Sequence, residues 1–126
     1  MYNSQKDFHK KLLGQVGEKQ VVKYLKKNKF KILEKNYVSP VGEIDIIAKD
    51  GDYICFIEVK TRVNENYGTP SEAVTIEKQR HIALTATSYL KKKSLLDAYC
   101  RFDVAEVLFD DNQDFTINYI EDAFRI

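Results

Sequence analysis

The chain has 126 residues, a mass of 14.7 kDa and a formal net charge of +1, a size that predicts one domain over residues 1–126. Hydrophobic residues make up 44% and charged residues 31%, a balance that excludes disordered, collagen-like and coiled-coil proteins. The longest apolar run, residues 53–57, is far shorter than the roughly 18 residues of a membrane helix. Because the first residues are polar and lack the apolar segment of a secretion signal, we expect a cytoplasmic protein.

Hydrophobic periodicity and turn residues predict seven elements in the order helix, three strands, helix, two strands. Their predicted ranges are residues 5–27, 30–33, 42–48, 53–61, 75–92, 101–109 and 115–120. This order predicts an α/β fold in which helices flank a central mixed sheet of five strands. The apolar residues in the first half of helix 5–27 point nearly opposite to those in its second half, with Gly14 and Gly17 between them. We therefore expect this helix either to break near the glycines or to be covered on two sides.

Charge is distributed unevenly along the chain. Residues 1–36 contain ten lysines and three acidic residues, whereas the last 24 residues contain seven acidic residues and one arginine. A basic segment suits a polyanion such as nucleic acid, but a solvated, lysine-rich helix face gives the same composition. Charge alone does not decide between these two interpretations.

The candidate site lies on strands 42–48 and 53–61, which an Asp-Gly turn connects. Side chains alternate along a strand, so Glu58 and Lys60 emerge on one face. If the hairpin closes with a two- or four-residue loop, Glu43 and Asp45 share that face.

Carboxylates that face one another in a sheet need a compensating cation, and a hard divalent ion such as Mg²⁺ or Mn²⁺ is the obvious one. Asp45, Glu58 and the Val59 carbonyl are the candidate ligands. Lys60 could stabilise charge on a phosphate or activate a water. The alternative is an exposed hairpin in which Glu58 and Lys60 form an ordinary surface pair. The apolar residues 54–57 argue against it, because they are typical of an interior strand.

Other charged residues have two readings each. Glu18 lies on the apolar side of the first helix, where it is either a further carboxylate near the metal or a glutamate that reaches solvent or pairs with a neighbouring lysine. The candidates for phosphate contacts are Arg62, Lys78, Lys19 and Lys23, and the alternative for them is a solvated face.

The Ile44-Asp45, turn, Glu58-Val59-Lys60 pattern resembles the PD-(D/E)xK nuclease superfamily. A fuller series resembles the YraN-type family of endonuclease-like bacterial proteins, which are distantly related to archaeal Holliday junction resolvases. The series covers most of the chain: Gly17-Glu18, Gly42-Glu43-Ile44-Asp45, Phe56 to Arg62, Glu72-Ala73-Val74 with Lys78, Tyr89-Leu90 and Arg101 to Val104.

The resemblance implies a restriction-endonuclease-like, resolvase-like core in which Asp45 and Glu58 bind metal and Lys60 is the catalytic lysine. Glu18 would take the place of the acid on the first helix of the resolvases. Ile44 stands where the superfamily has proline, so Glu43 becomes a rival or additional ligand. The resolvase relationship also suggests a two-fold dimer.

Together these features predict a Mg²⁺- or Mn²⁺-dependent endonuclease that cuts DNA, with branched or distorted DNA as the favoured substrate. Two alternatives stay open. One is a non-catalytic nucleic-acid-binding module with a vestigial metal site. The other is an interaction protein whose carboxylates are surface decoration.

Overall fold

A computed structural model of the protein describes residues 4–63, 74–110, 112 and 114–125, with side chains from residue 11 onward. It contains two helices and five strands in the predicted order. They are α1 (Ser4–Lys27), β1 (Lys31–Ser39), β2 (Gly42–Asp50), β3 (Tyr53–Val63), α2 (Ile76–Lys92), β4 (Tyr99–Phe109) and β5 (Phe115–Phe124). Glu72 and Ala73 of the family-like series lie outside the described residues.

The five strands form one sheet in the order β1-β2-β3-β4-β5. Neighbouring strands are antiparallel except β3 and β4, which are parallel and are joined through α2. A parallel pair needs such a crossover connection, whereas the antiparallel neighbours need only short turns. The predicted α/β fold with a central mixed five-stranded sheet is confirmed, and it is consistent with a resolvase-like core.

One helix covers each face of the sheet. On the α2 face, Phe56 packs with Ile82 and Tyr89 of that helix. On the α1 face, Ile57 packs with Val21 and Leu25. Residues 56 and 57 of β3 thus belong to opposite cores, which explains why this strand is apolar on both sides.

Helix α1 is continuous from Ser4 to Lys27, so the expected break near the glycines is wrong. Cover on two sides is wrong as well, because Leu12 and Val16 are exposed. Gly17 allows the helix to lie close against β3, since a Cβ atom at this position would clash with the Thr61 hydroxyl. This close approach brings the neighbouring Glu18 to the sheet.

Both edge strands are longer than the sequence predicted. Strand β1 continues to Ser39 and β5 to Phe124, and each has many exposed side chains. An edge strand with one solvated side can be polar, so its apolar pattern is weak and predicts only part of it. Among the described residues, neither helix is long and apolar enough to cross a membrane.

Candidate active site

The β2–β3 hairpin sets the register of the candidate site. Asp50 pairs with Tyr53 across a two-residue loop, and Gly51 in that loop has a φ of 59°. This loop length places odd-numbered residues of β2 opposite even-numbered residues of β3, as the hairpin hypothesis required. The ladder continues to its last pair, Ile46 and Ile57.

Asp45 lies at the first position beyond that ladder. Its Oδ2 accepts a hydrogen bond of 2.8 Å from the Val59 N–H, so a carboxylate takes the place of a backbone carbonyl where the two strands separate. The side-chain alternation of β2 also breaks here, because Ile44 belongs to the core of the α2 face and Ile46 to that of the α1 face. Asn36, opposite Asp45 on β1, has a φ of 52°. Asp45 therefore lies at a local distortion shared by two strands.

Glu58 is 7% exposed and lies beside Asp45. Burial, a side-chain hydrogen bond with Asp45 and the charge of Asp45 raise the pKa of Glu58 to about 8, against the opposing charges of Lys78 and Lys60. The Glu58 carboxyl group therefore keeps its proton to a higher pH than an exposed glutamate does. The proximity of Asp45 and Glu58 was predicted from the hairpin register.

Two lysines face this pair of acids. The Lys78 Nζ lies 3.4 Å from the Glu58 Oε2. The charge of Lys60, two residues after Glu58, also lowers the pKa of Glu58, but by less than the charge of Lys78 does. The sequence suggested a phosphate contact for Lys78, whereas the structure gives it an ion pair with a candidate metal ligand.

Glu18 approaches Asp45 from helix α1. Burial and the charge of Asp45 raise the pKa of Glu18, while a side-chain hydrogen bond with Asn36 opposes this rise. The structure thus places Glu18 on one side of Asp45 and Glu58 on the other, as expected for a further carboxylate near the site.

Glu43 does not join Asp45 and Glu58. Its neighbour Ile44 points into the core of the α2 face, so Glu43 points to the other face, where it is exposed and its charge acts on Glu18. The expected common face for Glu43, Asp45, Glu58 and Lys60 is wrong for Glu43, because strand alternation breaks between Ile44 and Ile46.

The donor set fits a hard divalent cation. Asp45 and Glu58 are oxygen ligands in mutual contact, and Mg²⁺ is commonly held by one or two carboxylates together with waters and substrate phosphates. Within the described residues, no three Asp, Glu, His or Cys side chains are grouped closely enough to hold an ion. A cation here would therefore depend on this acid pair and on oxygen atoms from backbone, water or substrate.

A basic groove lies between α1 and strands β1 and β2. It has a volume of about 710 Å³, and Lys19 and Lys23 line it, as does Glu18. Lysines at 11, 26 and 35 add three more positive charges. The groove thus connects two predicted phosphate-binding residues with Glu18, whose pKa the charge of Asp45 raises.

A family model supports the resemblance seen in the sequence. The model of the "Uncharacterised protein family UPF0102" matches residues 17–107. The chain belongs to this family. A UPF0102 protein of Clostridium tetani is 46% identical over 119 residues, which cover 94% of this chain and 98% of the relative. A UPF0102 protein of Geotalea uraniireducens is 49% identical over 116 residues, 92% of this chain and 91% of the relative. The resemblance to the YraN-type family is thereby confirmed.

The sequence interpretation missed two residues of this candidate site. Asn36 supports Glu18, and no sequence pattern indicates its backbone conformation. Glu106 is 2% exposed on β4, and its backbone pairs with Lys60. Glu106 could have been identified from the sequence, because it is an acid within the otherwise apolar residues 104–109. Glu58 was identified from the same kind of pattern. Arg62, next but one after Lys60, has a buried Nε without a hydrogen-bond partner in the described part of the chain.

Proposed function

We propose that the protein is a metal-dependent endonuclease that hydrolyses phosphodiester bonds in DNA. The observation that carries the proposal is the contact between the buried Glu58 and the partly buried Asp45, with Lys60 beside it. Two adjacent acids destabilise a fold unless a cation or proton compensates them. A structural role does not require that arrangement, but a metal site does.

Each residue would have a distinct task in this reaction. Asp45 and Glu58, together with the Val59 carbonyl, would hold Mg²⁺ or Mn²⁺. A bound divalent ion supplies charge neutralisation at the phosphate and lowers the pKa of a bound water. Lys60 would stabilise negative charge on the phosphate, and Glu18 would provide a further acceptor on the far side of Asp45.

The basic groove supports nucleic acid as the substrate. A row of lysines attracts a phosphate backbone without reading its sequence. Its position beside Glu18 would guide a strand toward Asp45. We further propose branched or distorted DNA as the preferred substrate, a two-fold dimer that presents two such sites, and action in the cytoplasm.

The test is cleavage of linear, flapped and four-way DNA in Mg²⁺ or Mn²⁺. Wild-type protein should cleave at least one substrate, whereas Asp45→Ala and Lys60→Ala should not. Lys49→Ala is a matched control because Lys49 is an exposed lysine near the hairpin turn, away from Lys60. Equal cleavage by wild type and Lys60→Ala would refute the assigned role of the lysine.

The basic groove by itself favours a second candidate, a nucleic-acid-binding module without catalysis. Such a protein would bind DNA with a strong salt dependence and show no metal-dependent cleavage. Calorimetric titration with Mn²⁺ separates the two candidates. A nuclease site binds the ion and loses it in Glu58→Ala, whereas a vestigial site gives no binding that depends on Glu58.

A further inference from the structure

Glu106 lies next to Lys60 on the neighbouring strand. The parallel ladder of β3 and β4 pairs the two residues directly. Val104, two positions before Glu106, belongs to the core of the α2 face, so strand alternation places Glu106 on the same face as Glu58 and Lys60. Lys60 is therefore flanked by two buried acids, one on its own strand and one across the ladder.

The Glu106 carboxylate is incompletely satisfied. Its Oε2 is buried and has no hydrogen-bond partner within residues 4–63, 74–110, 112 and 114–125. Native proteins pair nearly all buried polar atoms, so an open carboxylate oxygen in an interior strand needs an explanation. On the same face, the Arg62 Nε is a buried donor that is also unpartnered among these residues. One acceptor and one donor thus stay open beside Lys60.

We propose that Glu106 is a positioning residue that holds the Lys60 ammonium in the active site, an inference that rests on the nuclease function proposed above. The reason is geometric. Glu58 is a proposed metal ligand, so a bound cation would occupy its oxygens and leave Lys60 in need of another acceptor. Glu106 is the other buried acid beside Lys60, and its open oxygen can accept a hydrogen bond from the ammonium.

The Glu106→Gln variant tests this role, because glutamine keeps the shape and removes the charge. We expect the single-turnover cleavage rate to fall about 10- to 100-fold, the typical effect of losing a group that orients a catalytic residue. The affinity for DNA and the calorimetric affinity for Mn²⁺ should stay within about twofold of wild type. The urea midpoint should be unchanged or higher, since the variant removes a buried charge with an open oxygen. Glu106→Asp, which keeps the charge, should retain more activity than Glu106→Gln.

Asp103→Asn is the matched control. Asp103 is a buried acid on the same strand, but it lies on the α1 face and its oxygens are fully occupied. This variant should lower the urea midpoint and leave the cleavage rate per folded molecule within about twofold of wild type.

Five results would overturn the inference. If Glu106→Gln cleaves like wild type while Lys60→Ala is inactive, the nuclease function stands and the role of Glu106 falls. If Glu106→Gln abolishes Mn²⁺ binding, Glu106 is a ligand. If Glu106→Gln weakens DNA binding as strongly as Arg62→Gln does, Glu106 positions Arg62 for DNA binding and does not position Lys60. If rate and urea midpoint fall together, its role is structural. Wild-type protein that cleaves no substrate refutes the nuclease function itself, and this inference with it.

Discussion

Two of the buried acids in the sheet, Asp103 and Glu58, have opposite surroundings. Asp103 is fully buried, and its oxygens accept hydrogen bonds from the Arg101 Nε at 3.0 Å, the Tyr119 hydroxyl and the Asp122 N–H at 2.9 Å. Glu58 is nearly as buried, yet its closest side-chain partners are another acid and a partly exposed lysine 3.4 Å away.

The difference separates a structural acid from a functional one. The Asp103 carboxylate obtains every partner from within the chain, and its contacts tie β4 to β5. Burial and Asp103 also raise the pKa of the Tyr119 hydroxyl, which keeps this donor protonated. The Asp45 and Glu58 carboxyl groups instead lie side by side, and an external cation could bind both. Burial alone therefore does not distinguish the two roles, but the set of partners does.

The largest contrast should come from Glu58→Gln. We expect a loss of DNA cleavage of about a thousandfold, comparable to removing a principal electrostatic group from an active site. The free energy of unfolding should be unchanged or higher, because the variant removes a buried titratable group that lies beside the partly buried Asp45. Cleavage assays and urea denaturation of the same preparation measure both quantities. A large loss of stability would show that Glu58 is structural like Asp103.

Asp103→Asn should give the reverse result. The variant removes one of the two carboxylates that lie 3.0 Å from the Arg101 guanidinium, and the loss of one partner from a buried ion pair costs up to about 3–5 kcal/mol. Urea denaturation should show this loss, whereas cleavage per folded molecule should stay close to wild type. If Asp103→Asn is as stable as wild type but does not cleave DNA, Asp103 belongs to the catalytic site. The distinction between a structural Asp103 and a functional Glu58 would then be wrong.

The pH dependence of stability should also separate the two groups. The pKa of Glu58 is about 8 in the folded protein, above its ordinary value of 4.5. Between these values the folded state holds a proton that the unfolded state has released, so stability falls as the pH rises through this window. We expect this decrease to be on the order of a few kcal/mol.

Urea denaturation of metal-free protein at pH 5, 6.5 and 8.5 measures this decrease. Glu58→Gln should show a shallower pH dependence than wild type, whereas Asp103→Asn should retain the wild-type slope between pH 6.5 and 8.5. Identical slopes in wild type and Glu58→Gln would contradict the raised pKa.

The smallest effect should come from the groove lysines. Lys19→Ala and Lys23→Ala should each reduce the slope of log affinity for DNA against log salt concentration by about 1, because each removes one phosphate contact. Fluorescence anisotropy at several salt concentrations measures the slope. Lys49→Ala is the control. If it reduces the slope as much as Lys19→Ala and Lys23→Ala do, DNA binding depends on the total positive charge and not on the basic groove.

Much of this architecture follows from local patterns in the sequence. The Asp-Gly turn fixes the hairpin register, and that register predicts the meeting of Asp45 and Glu58. The distortion at Asp45 and Asn36 was not predictable, since it depends on both neighbouring strands at once. It turns Glu43 away from the site. The pairing of Lys60 with Glu106 depends on the β3–β4 register, which joins segments more than 40 residues apart and leaves no local signal.

The most direct test of the account is a crystal of the protein soaked in Mn²⁺ and measured for anomalous scattering. We predict a peak bound by the carboxylates of Asp45 and Glu58, with the Val59 carbonyl as a further ligand, and no such peak in Glu58→Gln. Anomalous maps without a peak between these two carboxylates, at a manganese concentration that supports cleavage, would contradict it.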